Sequence, residues 1–380
     1  MRKRFFVFLV VMLSLLSLVV AQEIPDRSEV LEKMKSANDY FMNKRSDPGE
    51  DVIRGREPRK TFQSHIWTRS VYYNGLMALY DISPEERYYE YAIEWAKSHD
   101  WGLRGGNNTR NADNQCIGKT YIELYKMDPE HKRIRKLKAT MNMLINTPQN
   151  DDWDWIDAIF MGMPVLAKMG KLENNCRYYE KMYDIYMYTK NKHGDNGLYN
   201  PVDHLWWRDA DFDPPYTEPN GEDCYWSRGN GWVFAALAQV LDIIPKDAPH
   251  RTEYLQTFKE MAKALKKVQR EDGFWNVSLH DPDHYGGKET SGTALFTYGL
   301  AWGVNKGILD ADKYLPAALK GWNGMADEAL HDNGFLGYVQ STGKQPSAGQ
   351  PVTYDKTPDF EDYGLGCFLL AGSEIYKLKK

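Results

Sequence analysis

Six stretches of this chain open on polar or charged residues and then become rich in glycine, alanine and apolar side chains. They are HIWTRSVYYNGLMALYDIS from His65, NADNQCIGKTYIELYKM from Asn111, DWIDAIFMGMPVLAKMG from Asp154, YWSRGNGWVFAALAQVLD from Tyr225, ETSGTALFTYGLAWGVNKG from Glu289 and DFEDYGLGCFLLAGSEIYK from Asp359. Apolar positions recur at helical spacing, as in Leu295, Tyr298, Gly299 and Trp302, or Val233, Ala236, Leu237 and Val240. Period-2 alternation of β-branched residues is scarce, so strands should be short. Between the six lie Lys- and Glu-bearing helical stretches such as Pro84–Lys97, Glu173–Lys190 and Tyr254–Arg270. The repeat is roughly 45–70 residues long, beyond the usual solenoid periods. A closed all-α (α/α)6 toroid satisfies this pattern: small-residue helices form a tight inner ring, and amphipathic helices form an outer ring with one wet face. An open helical solenoid is the alternative, but it does not require polar residues to recur at the same end of alternate helices.

Arg2, Lys3 and Arg4 precede an unbroken run of apolar residues and serines from Phe5 to Val20, and Ala21 offers a small residue for cleavage before Gln22. This reads as a secretory signal peptide over residues 1–21. The alternative is an uncleaved anchor, but the run is shorter than a typical span of about 20 residues. Residues 22–380 then form one catalytic domain, periplasmic or secreted, with no stable membrane association. Losing three positive charges takes the formal net charge from −5 to −8, which argues against nucleic acid as a partner. No Gly/Ser- or Pro-rich linker divides the chain, and the prolines between Asp211 and Gly221 read as a long loop. Cys116, Cys176, Cys224 and Cys367 match no zinc or CxxC pattern. Two could pair in an exported protein, although Cys116 and Cys367 lie in apolar patterns that suit buried thiols. The nine histidines hold no HExxH and no close pair, so neither a catalytic transition metal nor another cofactor is expected.

Three constellations carry chemistry. Asp157 follows Asp151, Asp152 and Asp154 and is flanked by Trp155, Ile156, Phe160 and Met161. If the helix includes Asp154, the two aspartates three apart share a face. An apolar setting and a like charge both raise a carboxyl pKa, as a general acid requires. Pro164, further along, implies a kink or a later helix start. Asp113 opens another inner segment and should lie at the same mouth, either as a second carboxylate or as a helix cap. Trp226-Ser227-Arg228-Gly229-Asn230-Gly231-Trp232 joins a carboxylate-matching guanidinium to two faces for sugar rings. His204 to Asp209 could line the cleft from a loop. Glu289 reads first as a cap, while Trp67 and Tyr363 mark the first and last inner segments.

The segments WIDAIFMGMPVLAKMG, WSRGNGW, ADNQCIG and ETSGTALFTYGL resemble glycoside hydrolase family 105, the unsaturated rhamnogalacturonyl hydrolases, from about Lys33 to the C-terminus. The resemblance implies a six-hairpin toroid acting on oligosaccharides left by polysaccharide lyases, which carry a 4,5-unsaturated uronic acid at the non-reducing end. It implies that Asp157 is the catalytic aspartate, that Asp113 holds the sugar hydroxyls, and that Trp226, Arg228 and Trp232 bind the uronate. Trp67 is expected to join them. His204 falls near a family site histidine, although Asp203-His204-Leu205-Trp206 departs from the family's local pattern. The implied reaction is hydration of the C4=C5 bond, first for an unsaturated galacturonate linked to rhamnose, with unsaturated glucuronate as the alternative. A glycan-binding toroid without catalysis is the reading from a different class.

Overall fold

A computed structural model describes residues 23–379; the expected signal peptide lies outside the described residues. The chain folds into helices α1 (Arg27–Lys44), α2 (Trp67–Ile82), α3 (Glu86–Ser98), α4 (Ala112–Gln115), α5 (Gly118–Met127), α6 (His131–Ile145) and α7 (Asp157–Glu173). These are followed by α8 (Arg177–Asn191), α9 (Ser227–Ile243), α10 (Arg251–Lys267), α11 (Thr290–Asn305), α12 (Ala311–Gly324) and α13 (Asp362–Tyr376). Two antiparallel strand pairs decorate them: β1 (Val52–Ile53) with β2 (Thr61–Phe62), and β3 (Tyr199–Asn200) with β4 (Leu205–Trp206). None of the described helices is long and apolar enough to cross a membrane.

The inner ring closes. Helix α2 packs against α5, α4 and α5 against α7, α7 against α9, α9 against α11, α11 against α13, and α13 back against α2. An open solenoid would leave that last contact unmade, so the structure is the (α/α)6 toroid. Burial follows the composition: α9 is buried at every residue from Ser227 to Leu241. The outer helix α10 buries a single stripe, Tyr254, Thr257, Phe258, Met261, Ala262 and Leu265. The sixth hairpin joins the two ends of the chain, because α1 is the outer partner of α13. Gly75 and Gly366 permit the α2–α13 closure, since a Cβ on either would strike the backbone of the facing helix.

Pro164 lies inside one continuous α7 rather than starting a later helix. Proline has no N–H to donate to the carbonyl four residues back, and the buried Lys119 ammonium takes that place, donating to the Phe160 carbonyl at 3.2 Å. The same ammonium sits 3.4 Å over the Phe160 ring. One expectation is corrected. Helix α7 begins at Asp157, so Asp154 stands exposed before it and shares no helix face with Asp157. All four cysteines are free thiols: Cys116 and Cys367 are buried, as their apolar patterns suggested, Cys224 is also buried, and Cys176 is exposed.

Candidate active site

Because each inner helix begins at the same mouth, the polar openings of the segments meet there. Trp67 is the first residue of α2, Asp113 the second of α4, Asp157 the first of α7 and Arg228 the second of α9. These four, with Trp226, Trp155, Met161, Arg208, Thr342 and Gly343, line one cleft of about 180 Å³. Most of the residues singled out in the sequence are therefore together.

Asp157 is 8% exposed. Burial pushes its carboxyl up; Arg208 and then Arg228 pull it back, and the net displacement is upward. Arg208 Nε stands 3.3 Å from Asp157 Oδ2. Asp113 is pushed up to about 7 by burial and then by the charge of Asp157, against the opposing pull of Arg208 and Arg104. The like charge that raises Asp113 is thus Asp157 from across the cleft. Both carboxyls are thus displaced toward the protonated form.

Arg208 is held by local backbone pairing: the Ile156 N–H donates to the Arg208 carbonyl at 3.0 Å, and Trp155 pairs with Asp209. The guanidinium also pairs with Asp209. Arg228 behaves differently from the expected free fork. Nη1 donates to the Gln340 carbonyl at 2.7 Å and Nη2 to the Ser341 carbonyl at 2.9 Å. Its guanidinium lies 4.6 Å from the Trp226 ring centre and 5.1 Å from that of Tyr363. Arg228 therefore clamps the loop that carries Thr342 and Gly343 and adds positive charge beneath the cleft. Trp226 holds the same loop, with Nε1 donating to Gln340 Oε1 at 2.8 Å. Glu289 caps α11 through the N–H groups of Ser291 and Gly292, and also accepts from Gln340 N.

Two candidates lie elsewhere. Trp232 is fully buried one turn below the mouth, against Phe160 and the edge of Trp67, so it supports the floor without lining it. His204 sits in the β3–β4 turn at φ 59°, 3.2 Å from the Tyr199 hydroxyl and 3.7 Å from Glu260 on outer helix α10. Its ring thus stands beside outer helix α10 and does not line the cleft. Conversely, Thr342 and Gly343 come from an irregular loop with no periodic signal, fixed by Asp359, which accepts from Thr342 N at 2.7 Å.

A larger cavity of about 390 Å³ opens at the opposite end, among the C-terminal halves of the inner helices. Its acids are paired with cations: Glu123 with Lys168, Asp242 with Lys306 and Glu374 with Lys377. That pairing suits a solvated barrel end better than proton-transfer chemistry.

The family model for Glycosyl Hydrolase Family 88 matches residues 33–379. The chain is 34% identical over 335 residues to the "Unsaturated 3S-rhamnoglycuronyl hydrolase" of Formosa agariphila, covering 83% of this chain and 85% of that protein. It is 30% identical over 354 residues to a protein of the same name from an Alteromonas species, covering 86% and 81% respectively. The solved structure "Glycosyl hydrolase family 88 from Bacteroides vulgatus" superposes with a TM-score of 0.83 at 33% identity, over 93% of this chain and 100% of that one. With its mouth of paired aspartates on a closed six-hairpin ring, this chain is a glycoside hydrolase and belongs to glycosyl hydrolase family 88.

Proposed function

We propose that this enzyme removes a 4,5-unsaturated uronic acid from the non-reducing end of lyase-generated oligosaccharides, within the family 105 branch to which WSRGNGW and the Trp155-Ile156-Asp157 segment point. The observation that carries this reading is the pair Asp113 and Asp157, both displaced toward the protonated form in one small cleft beside Arg208. Protonated Asp157 delivers its proton to C4 of the enol ether. Positive charge develops at C5 and the ring oxygen, and the resulting carboxylate of Asp157 takes a proton from the water that adds at C5. The hemiketal opens, and the glycosidic bond breaks. Asp113 holds sugar hydroxyls, Trp67, Trp155 and Trp226 offer faces to the ring, and the Arg208 and Arg228 charges favour the uronate carboxylate.

Lyase elimination makes C4 and C5 trigonal, so galacturonate and glucuronate leave the same unsaturated ring. Selectivity therefore rests on the anomeric linkage and on the next sugar. We place rhamnose there; the names of the Formosa and Alteromonas relatives favour the 3S-rhamnoglycuronyl linkage over the rhamnogalacturonyl one. Action outside the cytoplasm fits the leader-like pattern from Arg2 to Ala21. The test compares lyase digests of ulvan, rhamnogalacturonan and glycosaminoglycans with their saturated counterparts, following release of the terminal uronate by chromatography in both and, for the unsaturated ends, loss of the enol-ether ultraviolet absorbance as well. Turnover of unsaturated, rhamnose-linked ends is expected. Hydrolysis of saturated ends at equal rate would remove the unsaturated uronate from the account.

A further inference from the structure

Away from the cleft, two rim loops meet at a second cluster of titratable groups. One loop runs between β4 and α9 and carries Glu218; the other lies between α10 and α11 and carries Asp281 and His284. One donor atom from each of the three residues lies within 4.8 Å of the others. Glu218 and Asp281 are both 2% exposed, and among the described residues neither pairs with a lysine or arginine. The imidazole of His284 contacts Glu218 through Nδ1 and Oε2. That contact leaves the other oxygen, Glu218 Oε1, buried with no hydrogen-bond donor. A single imidazole thus faces two buried carboxylates. An uncompensated buried charge is costly, and an orphaned carboxylate oxygen adds to that cost.

The surroundings are built to aim these groups. Asp281 Oδ1 accepts from the N–H groups of Asp283 at 3.2 Å and His284 at 3.1 Å, and Oδ2 accepts from Asn220 N at 3.2 Å. Such outer hydrogen bonds fix a carboxylate as they do in metal sites. The two loops are already joined nearby, where Ser227 N donates to the Val277 carbonyl and Leu279 N to that of Tyr225, both at 2.9 Å.

We propose that Glu218, Asp281 and His284 bind one divalent transition-metal cation that clips the two rim loops together. A nitrogen donor with two carboxylates suits Zn²⁺ or Mn²⁺ better than Ca²⁺ or Mg²⁺, which take oxygen ligands. Water fills the remaining positions. The role is structural, because none of the three residues lines the catalytic cleft. Glu218 and His284 are 66 residues apart, so no local spacing motif announces the site.

The test uses tag-free full-length protein, stripped with chelator, desalted and titrated separately with Zn²⁺, Mn²⁺ and Ca²⁺. The expected result is one equivalent of Zn²⁺ retained through gel filtration, with a raised Tm and at least about ten-fold weaker Ca²⁺ binding. His284→Ala and Asp281→Asn should each weaken Zn²⁺ at least about ten-fold. Asp281→Asn keeps one acceptor oxygen for the Asp283 and His284 N–H groups, and a metal-free Tm matching that of the metal-free wild type shows that its loss of metal is not loop unfolding. Absence of stoichiometric Zn²⁺ in the wild type, or unchanged Zn²⁺ affinity in both variants, would overturn the proposal and leave a histidine–carboxylate ion pair only.

Discussion

Lys119 is the most exacting test of how the inner ring is held together. Its ammonium is fully buried, donates to the carbonyl freed by Pro164 and stacks on Phe160. Burial lowers its pKa from 10.5 to about 8. Because the folded pKa is depressed, the unfolded chain binds the proton more tightly. The folded state is therefore penalised below about pH 8 and relieved as pH rises toward 10.5. At neutral pH the penalty is about 3 kcal/mol, and by pH 9.5 about 2 kcal/mol of it is gone. Lys119→Met keeps the volume and removes the titration. Its own cost, an unsatisfied Phe160 carbonyl of about 1–3 kcal/mol, does not vary with pH. The neighbouring Cys116 thiol, pushed up to about 11 by burial, stays protonated through this window. Urea unfolding of both proteins at pH 7 and 9.5 should show the wild type gaining about 2 kcal/mol on the variant as pH rises. A difference that stays flat to within about 0.5 kcal/mol would refute the buried-ammonium account.

Other outcomes follow from the same geometry. Asp157 must carry its proton for catalysis, and burial holds its carboxyl above the ordinary value of 3.8, so kcat/KM should fall as pH rises through that raised pKa and not already near pH 3.8. Arg208→Gln removes the positive charge that opposes burial at Asp157, so Asp157 holds its proton more tightly and the residual activity's alkaline limb should move to higher pH; an unmoved limb contradicts the coupling. Gly366→Ala should destabilise by about 2–3 kcal/mol, because its methyl meets the Val71 carbonyl on α2 and backbone cannot yield as a side chain can. Thermal melts check this, and an unchanged Tm would mean the ring closes less tightly than the structure has it.

The ring was legible because two kinds of helix differ in composition: α9 and α13 must be small and apolar on every face, while α10 need hide only one. The site was legible for the same reason. Residues at the first turn of inner helices, Trp67, Asp113, Asp157 and Arg228, converge by topology alone. One turn deeper, the same logic misplaces Trp232 in the cleft, since periodicity does not state depth. The functional partners of Arg228 were out of reach of sequence, because Gln340 and Ser341 come from a loop more than a hundred positions away. Arg208 could be suspected only as part of a loop. Its placement depends on the backbone pairing of Trp155 with Asp209, which no local pattern encodes.

The central claim is that Asp157 supplies the proton to the substrate's double bond. Asp157→Asn preserves the side-chain shape and removes the ionisable proton. On an unsaturated, rhamnose-linked oligosaccharide, loss of the enol-ether absorbance should slow by at least about 10³-fold, while substrate Kd stays within a few-fold of the wild type. Turnover near the wild-type rate in that variant would contradict the assignment outright.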